Sequence, residues 1–120
     1  MPINFDEIDP QIIPKMDAGY LMYQAVESYE YRTGKKVDLS KEHQIKLDHM
    51  CLNFLRHKTV LNYNKVNRKY FNHNEKRETD YFEWFKRVNL EICKKYPHLK
   101  KAALHQIQQK QKDLVAVGSF

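Results

Sequence analysis

The sequence predicts an all-α fold, a single-domain bundle of about four helices with a long central second helix. Three observations predict it. The 120 residues include only three Gly and four Pro, whereas all-β domains need many tight turns, which depend on Gly. Apolar residues recur at helical spacing in four separate segments. The apolar fraction of 42% is enough to build a core in a chain of this length without disulfides or metal.

The first helix is predicted from about Pro14 to Thr33, after an irregular acidic lead-in over residues 1–13. Proline suits the first turn of a helix because its missing N–H would have no intrahelical partner there. Gly34 is a suitable left-handed stop. One side of this helix is apolar at helical spacing: Ala18, Leu21, Met22, Ala25 and Tyr29.

The second helix is predicted from Ser40, a favourable N-cap, to about Phe71. One apolar stripe follows its whole length: Ile45, Leu52, Leu55, Tyr63, Val66 and Tyr70. A second stripe covers only the first half: Leu47, Met50, Phe54 and Leu61. This pattern predicts that the helix leaves the bundle or bends near residues 57–59, and then exposes a basic, Asn-rich face.

Residues 72–79 are polar and predict a loop. The third helix is predicted to start at Asp80, which forms a pair resembling a capping box with Glu83, and to end before Pro97. Its apolar face comprises Tyr81, Phe82, Phe85, Val88, Ile92, Cys93 and Tyr96. A fourth helix is predicted over about residues 98–113, followed by an apolar C-terminal tail over residues 114–120.

The positive charge is unevenly distributed along the chain. Residues 1–30 hold one Lys against six acidic residues, whereas residues 31–120 hold 20 Lys or Arg against nine. A basic body attracts polyanions, and nucleic acid, DNA or RNA, is the commonest one inside cells. The sequence therefore predicts a non-enzymatic nucleic-acid-binding or nucleic-acid-associated accessory protein with this basic helical face: Lys65, Arg68, Lys69, Lys76, Arg77, Lys86 and Arg87.

The alternative is a protein–protein adaptor, an inhibitor or a small structural subunit of a larger assembly. Four tyrosines lie on the first helix, and exposed aromatic or apolar patches mark interfaces. The C-terminal tail offers a second contact region through Leu114, Val117 and Phe120. The other interpretation of that tail is a last helical turn that folds back onto the bundle.

No catalytic or metal-binding pattern stands out. Zinc sites need paired ligands at short spacing, and neither His49 with Cys51 nor Cys93 with His98 has a matching second pair. We therefore expect no enzyme activity, no cofactor and no metal. Two cysteines inside apolar patterns are typical of reduced core thiols, and we expect a reducing, cytoplasmic or nuclear location.

Residues 80–99, DYFEWFKRVNLEICKKYPHL, resemble the central part of an HMG box. The resemblance lies in the aromatic-rich start of the helix and in the basic run ahead of Pro97. It covers about one sixth of the chain. The basic, proline-bearing arm that opens such boxes is missing here, and no DNA contact is carried over.

Overall fold

A computed structural model describes residues 8–67 and 78–118 and confirms the all-α prediction. No strand occurs in these two stretches. A short 3-10 turn comes first and a second one separates the last two helices. The elements are a turn at Pro10–Ile12, α1 at Ala18–Thr33, α2 at Gln44–Asn67, α3 at Glu78–Lys95, a turn at Pro97–Leu99 and α4 at Lys100–Ala116.

Helix α2 is the central element, because it packs against α1, α3 and α4. The core is a single cluster to which the four helices and the residues before α1 all contribute. Its members with no exposed surface include Leu21, Leu52, Leu55, Val88, Ile92, Leu99 and Ala103. Burial of this apolar surface is the main force that holds the four helices together.

Two predicted helix starts are wrong. Helix α1 begins at Ala18, because Asp17 has extended backbone and its side chain accepts a 2.8 Å hydrogen bond from the Tyr20 amide. Ser40 lies in a turn, where Asp38 Oδ1 accepts from both its amide and its hydroxyl. Helix α2 therefore begins only at Gln44. Asp17 is thus the N-cap of α1, whereas Asp38 stabilises a turn that precedes α2.

The predicted limits of α3 are partly wrong. Glu78 is already helical, so Asp80 is the third residue of the helix and not its start. Of the predicted loop, residues 72–77 lie outside the described residues. The predicted end is confirmed, since α3 stops at Lys95 and Pro97 opens the short 3-10 turn. The left-handed Gly34 is also confirmed as the end of α1, with φ of 70°.

The apolar stripes of α2 are buried only in part. Leu52 and Leu55 are fully buried, whereas Ile45, Leu61 and Val66 are exposed. The helix is continuous from Gln44 to Asn67, so its second half exposes one face without a break in the helix. The predicted end near Phe71 lies outside the described residues.

The irregular lead-in is held in place by three side chains. We call residues 8–16 the N-terminal strap. The Tyr96 hydroxyl accepts from the Met16 amide at 2.9 Å and donates to the Pro14 carbonyl at 2.6 Å. Lys95 Nζ donates to the carbonyls of Pro10 and Ile13, and Asn62 Nδ2 donates to the Ile12 carbonyl at 2.7 Å. Ile13 is fully buried in the core cluster, so the strap is an integral part of the fold.

Removing the Tyr96 hydroxyl tests the strap. We expect Tyr96→Phe to lower the free energy of unfolding by about 1–2 kcal/mol, because the Met16 amide and the Pro14 carbonyl both lose a half-buried partner. Urea denaturation measures the loss. Tyr31→Phe is the matched control, because the Tyr31 side chain is 91% exposed and should change stability by less than about 0.5 kcal/mol. Equal stability of the two variants would contradict the role of the Tyr96 hydroxyl in holding the strap.

The first three residues of the predicted C-terminal tail continue α4. The helix extends to Ala116, three residues beyond the predicted end, and Gly118 follows with a left-handed φ of 75°. Leu114 is buried, whereas Val117 is 69% exposed. Phe120 lies outside the described residues. Of the residues predicted to contact a partner, Leu114 is therefore unavailable and Val117 is accessible.

The cysteines are free thiols in apolar surroundings. Cys51 is buried and burial raises its pKa to about 11, while burial also raises the pKa of the half-buried Cys93. Because the thiolate is the reactive form, we expect Cys51 to react with iodoacetamide at pH 7.5 at least about tenfold more slowly in the folded protein than in urea. Mass spectrometry of the alkylated peptides measures both rates. Fast labelling of Cys51 in the folded protein would contradict its burial.

None of the described helices is both long and apolar enough to cross a bilayer.

Candidate functional site

The second half of α2 presents two lysines on one exposed face. Lys58 and Lys65 are seven residues apart, which places them nearly above one another on a helix. Leu61 lies between them and is exposed. We call these three residues the basic face of α2. No carboxylate of the described residues forms an ion pair with either lysine.

The carboxylates that the structure describes are mostly engaged close to their own position in the chain. Asp9 and Asp17 cap the first 3-10 turn and α1, and Glu30 accepts from the Val37 amide at 2.8 Å. Others form short-range ion pairs: Glu42 with Lys46, Glu83 with Lys86 and Glu91 with Lys94. Asp9, Asp17 and Glu30 are therefore used in local structure, and none of the carboxylates that the structure describes forms an ion pair with the basic face of α2.

The basic character continues along the chain beyond Asn67. Residues 57–77 contain six Lys or Arg and one acidic residue, Glu75. Four of the residues predicted to bind nucleic acid belong to this stretch but lie outside the described residues: Arg68, Lys69, Lys76 and Arg77. Lys65 is the predicted residue that the structure places on the basic face. Lys58, which the sequence analysis did not select, joins it there.

The structure corrects the predicted surroundings of one asparagine of α2. Asn62 was expected on an exposed, Asn-rich face, but its Nδ2 donates to the Ile12 carbonyl and holds the N-terminal strap. One N–H of its amide is therefore committed to the strap.

The two predicted basic residues of α3 have different surroundings. Lys86 Nζ lies 3.2 Å from Glu83 Oε1 and 5.6 Å from the centre of the Phe82 ring, so its charge already has partners. Arg87 is exposed and lines a shallow groove together with Ile8 of the strap and Leu90, Glu91 and Lys94 of α3. Arg87 is thus the more accessible of the two.

A polar cluster that was not predicted from the sequence lies between α2, α3 and α4. We call Asn53, Arg56, Asn89 and Gln106 the Arg56 cluster. Arg56 Nη1 donates to Asn89 Oδ1 at 2.9 Å and to Gln106 Oε1 at 2.8 Å, and Nη2 donates to Asn53 Oδ1 at 2.8 Å. The guanidinium carbon also lies 4.7 Å from the centre of the Phe85 ring. One arginine thus connects three helices.

The Arg56 cluster contains no carboxylate. All three acceptors of Arg56 are neutral amide oxygens, and burial lowers the pKa of Arg56 to about 10. Asn89 is fully buried, and its Nδ2 has no hydrogen-bond partner in the described part of the chain. The cluster therefore holds a positive charge without a counter-ion and an amide donor without an acceptor.

His49 extends the cluster towards the surface. Gln106 uses its Oε1 to accept from Arg56, so its Nε2, 2.8 Å from His49 Nδ1, must be the donor. Neutral His49 then carries its proton on Nε2. Burial lowers the pKa of His49, and the charges of His105 and Arg56 lower it further against the opposing effect of Asp48.

This arrangement predicts that the fold loses stability in mild acid. Because the pKa of His49 in the folded state lies below its ordinary value of about 6.5, the unfolded chain binds more protons below that pH. The contribution of His49 to the free energy of unfolding is complete above about pH 7 and is lost as the pH falls through 6.5. Urea denaturation at pH 7.5 and 5.5 should show a smaller drop in the free energy of unfolding for His49→Asn than for the wild type. His57→Asn, a change at an exposed position of the same helix, should show the full loss. An equal loss in both variants would exclude His49 as the titrating group.

A surface pocket of about 340 Å³ opens beside the cluster. Gln106 and His49 form part of its wall and connect it to Arg56. The other lining residues are Phe85, His105, Gln109, Lys110 and Asp113. Since the His49 and His105 rings lie edge to face at 5.4 Å, aromatic and cationic groups line the same opening.

The described residues contain no group of three or more His, Cys, Asp or Glu side chains that could hold a metal ion. Comparison with protein-family models, curated proteins and solved structures finds no match to this chain. A function can be argued from the basic face of α2, from the exposed tyrosines of α1 and from the pocket beside the Arg56 cluster.

Proposed function

We propose that this protein binds nucleic acid through the basic face of α2 and the basic residues that follow it in the chain. The observation that carries this proposal is the pair Lys58 and Lys65, which are exposed on one helix face without a carboxylate partner among the described residues. Arg68, Lys69, Lys76 and Arg77 add four positive charges immediately afterwards in the sequence. Arg87 is a further contact on α3.

The proposed mechanism is phosphate neutralisation. Lysine and arginine side chains displace condensed counter-ions from the phosphate backbone, and the release of those ions drives binding. Such contacts hold the backbone and carry no sequence information directly. Because the proposed contacts are to phosphates, we expect little discrimination between base sequences.

A fluorescence-anisotropy titration against duplex DNA, single-stranded DNA and RNA tests this proposal. With about four to six phosphate contacts, we expect the logarithm of the association constant to fall with the logarithm of salt concentration with a slope of roughly −3 to −5. A protein that binds none of the three nucleic acids at low salt would rule the proposal out.

A second proposal is a protein-binding role for the outer face of α1. Tyr20, Tyr23 and Tyr31 are exposed on that helix, and Tyr is enriched at interfaces because its ring is apolar and its hydroxyl is polar. Val115 and Val117 are exposed near the end of α4. Changing Tyr20 and Tyr23 together to Ser should abolish the capture of a partner from a cell extract and leave nucleic-acid binding intact. A protein that stays monomeric and captures no partner would count against this role.

A further inference from the structure

We propose that the pocket beside the Arg56 cluster binds a phosphate group, either free or as a small phosphate monoester. This site lies between α2, α3 and α4 and is distinct from the basic face of α2, so the inference goes beyond the proposed nucleic-acid binding. It depends on an uncompensated charge, an unused donor and the shape and lining of the pocket.

The first argument is the charge of Arg56. Removing a guanidinium from water is costly unless an anion or several hydrogen bonds compensate for it. Arg56 has three hydrogen bonds, but each acceptor is a neutral amide oxygen. An anion in the neighbouring pocket would supply the missing negative charge. Gln106, which accepts from Arg56, is itself part of the pocket wall, so a bound anion would lie one side chain away from the guanidinium.

The second argument is the unused donor. Asn89 has no exposed surface, and its Oδ1 is occupied by Arg56 while its Nδ2 has no partner within the described residues. Most buried polar groups in folded proteins are hydrogen-bonded, and an exception calls for an explanation. Asn89 does not line the pocket and would not contact a ligand there. Its unused donor adds to the excess of donors and positive charge in the cluster, and that excess favours an anion in the neighbouring pocket.

The third argument is the lining of the pocket. His49 uses Nδ1 to accept from Gln106, which leaves its Nε2–H as a donor even in the neutral form. His105 and Lys110 add two further donors. The one carboxylate in the lining, Asp113, accepts from Gln109 Nε2 at 3.1 Å. These donors and the positive charge of Lys110, whose Nζ lies 5.0 Å from the centre of the Tyr81 ring, suit a group with several acceptor oxygens and up to two negative charges, as phosphate has. The charge of Asp113 opposes such a group, and one positive lysine in the lining together with the nearby Arg56 outweighs it.

The volume indicates how much of a ligand fits. About 340 Å³ is more than a bare phosphate needs and lies at the small end of ligand pockets. The Phe85, His49 and His105 rings in the wall can contact an apolar or aromatic group attached to the phosphate. A monoester with a small ring is therefore the ligand class that uses both parts of the pocket.

NMR spectroscopy of the full chain at constant ionic strength and pH 7.5 tests the proposal, with inorganic phosphate, AMP and adenosine as separate titrants. We expect saturable shifts of the His49 and His105 imidazole signals and of the Gln106 side-chain amide with phosphate and with AMP. Tighter binding of AMP than of phosphate would indicate a monoester ligand, and equal affinities would indicate free phosphate. Adenosine should give no saturable shift, because it lacks the anion.

Two variants make the test specific. Lys110→Gln removes a positive charge from the pocket lining and should weaken phosphate binding about tenfold. Lys112→Gln removes the same charge from an exposed position of α4 that does not line this pocket, and should leave the affinity unchanged. Asn89→Asp places a carboxylate against Arg56 and should abolish binding, provided that its spectrum shows a folded chain.

Several outcomes would overturn the proposal. A specific pocket is contradicted if phosphate causes no shift of the His49, His105 and Gln106 signals, or if the shifts spread over the surface lysines. It is also contradicted if the Lys110 and Lys112 variants lose phosphate affinity equally. The test also distinguishes a failure of this proposal from a failure of the proposed nucleic-acid binding. Changing Lys58 and Lys65 to Glu should weaken nucleic-acid binding, while this variant keeps the wild-type phosphate response at His49 and His105.

Discussion

Replacing Arg56 with alanine is expected to lower the free energy of unfolding by about 2–4 kcal/mol. The change removes three hydrogen bonds and leaves the side-chain oxygens of Asn89 and Gln106 without this donor, whereas Asn53 Oδ1 keeps the Gln106 amide at 3.1 Å. A buried acceptor that loses its partner costs about 1–3 kcal/mol, and the two costs do not simply add because Gln106 is only half-buried and can turn towards water. The contact between its guanidinium and the Phe85 ring is also lost.

Two further variants make this prediction specific. Arg56→Met keeps an apolar side chain beside Phe85 and removes an uncompensated charge, so we expect it to be less destabilising than Arg56→Ala. Lys58→Ala lies two residues further on at an exposed position and should change stability by less than about 0.5 kcal/mol. Urea denaturation monitored by circular dichroism measures all three. If Arg56→Ala matched Lys58→Ala, the Arg56 cluster would not hold the three helices together.

Changing Lys58 and Lys65 together to glutamate is expected to weaken nucleic-acid binding about 10- to 100-fold at physiological salt. Each lysine that neutralises a phosphate contributes about one unit to the salt slope. The reversal removes two such contacts and adds two charges that repel the backbone. Because both side chains are exposed, the fold should be unaffected.

The control for this double change is Lys35→Glu with Lys36→Glu. Both lysines are exposed just after α1, and the variant has the same net charge as the first. A loss of affinity in the Lys58 and Lys65 variant alone would locate binding on α2. An equal loss in both variants would mean that only the overall charge attracts nucleic acid, and a specific basic face would be excluded.

The helices could be predicted from the sequence because apolar spacing is a local property. The predicted starts were each a few residues too early. Pro14 and Ser40 are both acceptable at a helix start, but Asp17 caps α1 three residues after Pro14, and Asp38 holds Ser40 in a turn four residues before α2 begins. Spacing shows that a helix exists and does not decide between neighbouring caps.

The Arg56 cluster and the N-terminal strap depend on contacts between distant parts of the chain. Arg56 and Gln106 are 50 residues apart, and so are Ile12 and Asn62. The sequence contains one partial signal for the cluster. His49, Asn53 and Arg56 recur at intervals of four and three residues, which aligns three polar side chains on one face of α2. That signal does not reveal which residues of α3 and α4 would meet them.

The central claim is that nucleic acid contacts the basic face of α2, and lysine acetylation footprinting tests it most directly. The protein is labelled with and without saturating duplex DNA, and the modified lysines are measured by mass spectrometry. We predict that Lys58 and Lys65 become protected, whereas Lys35 and Lys36 after α1 and Lys112 on α4 react equally in both samples. Unchanged labelling of Lys58 and Lys65 in the bound sample, or protection confined to other lysines, would contradict the account.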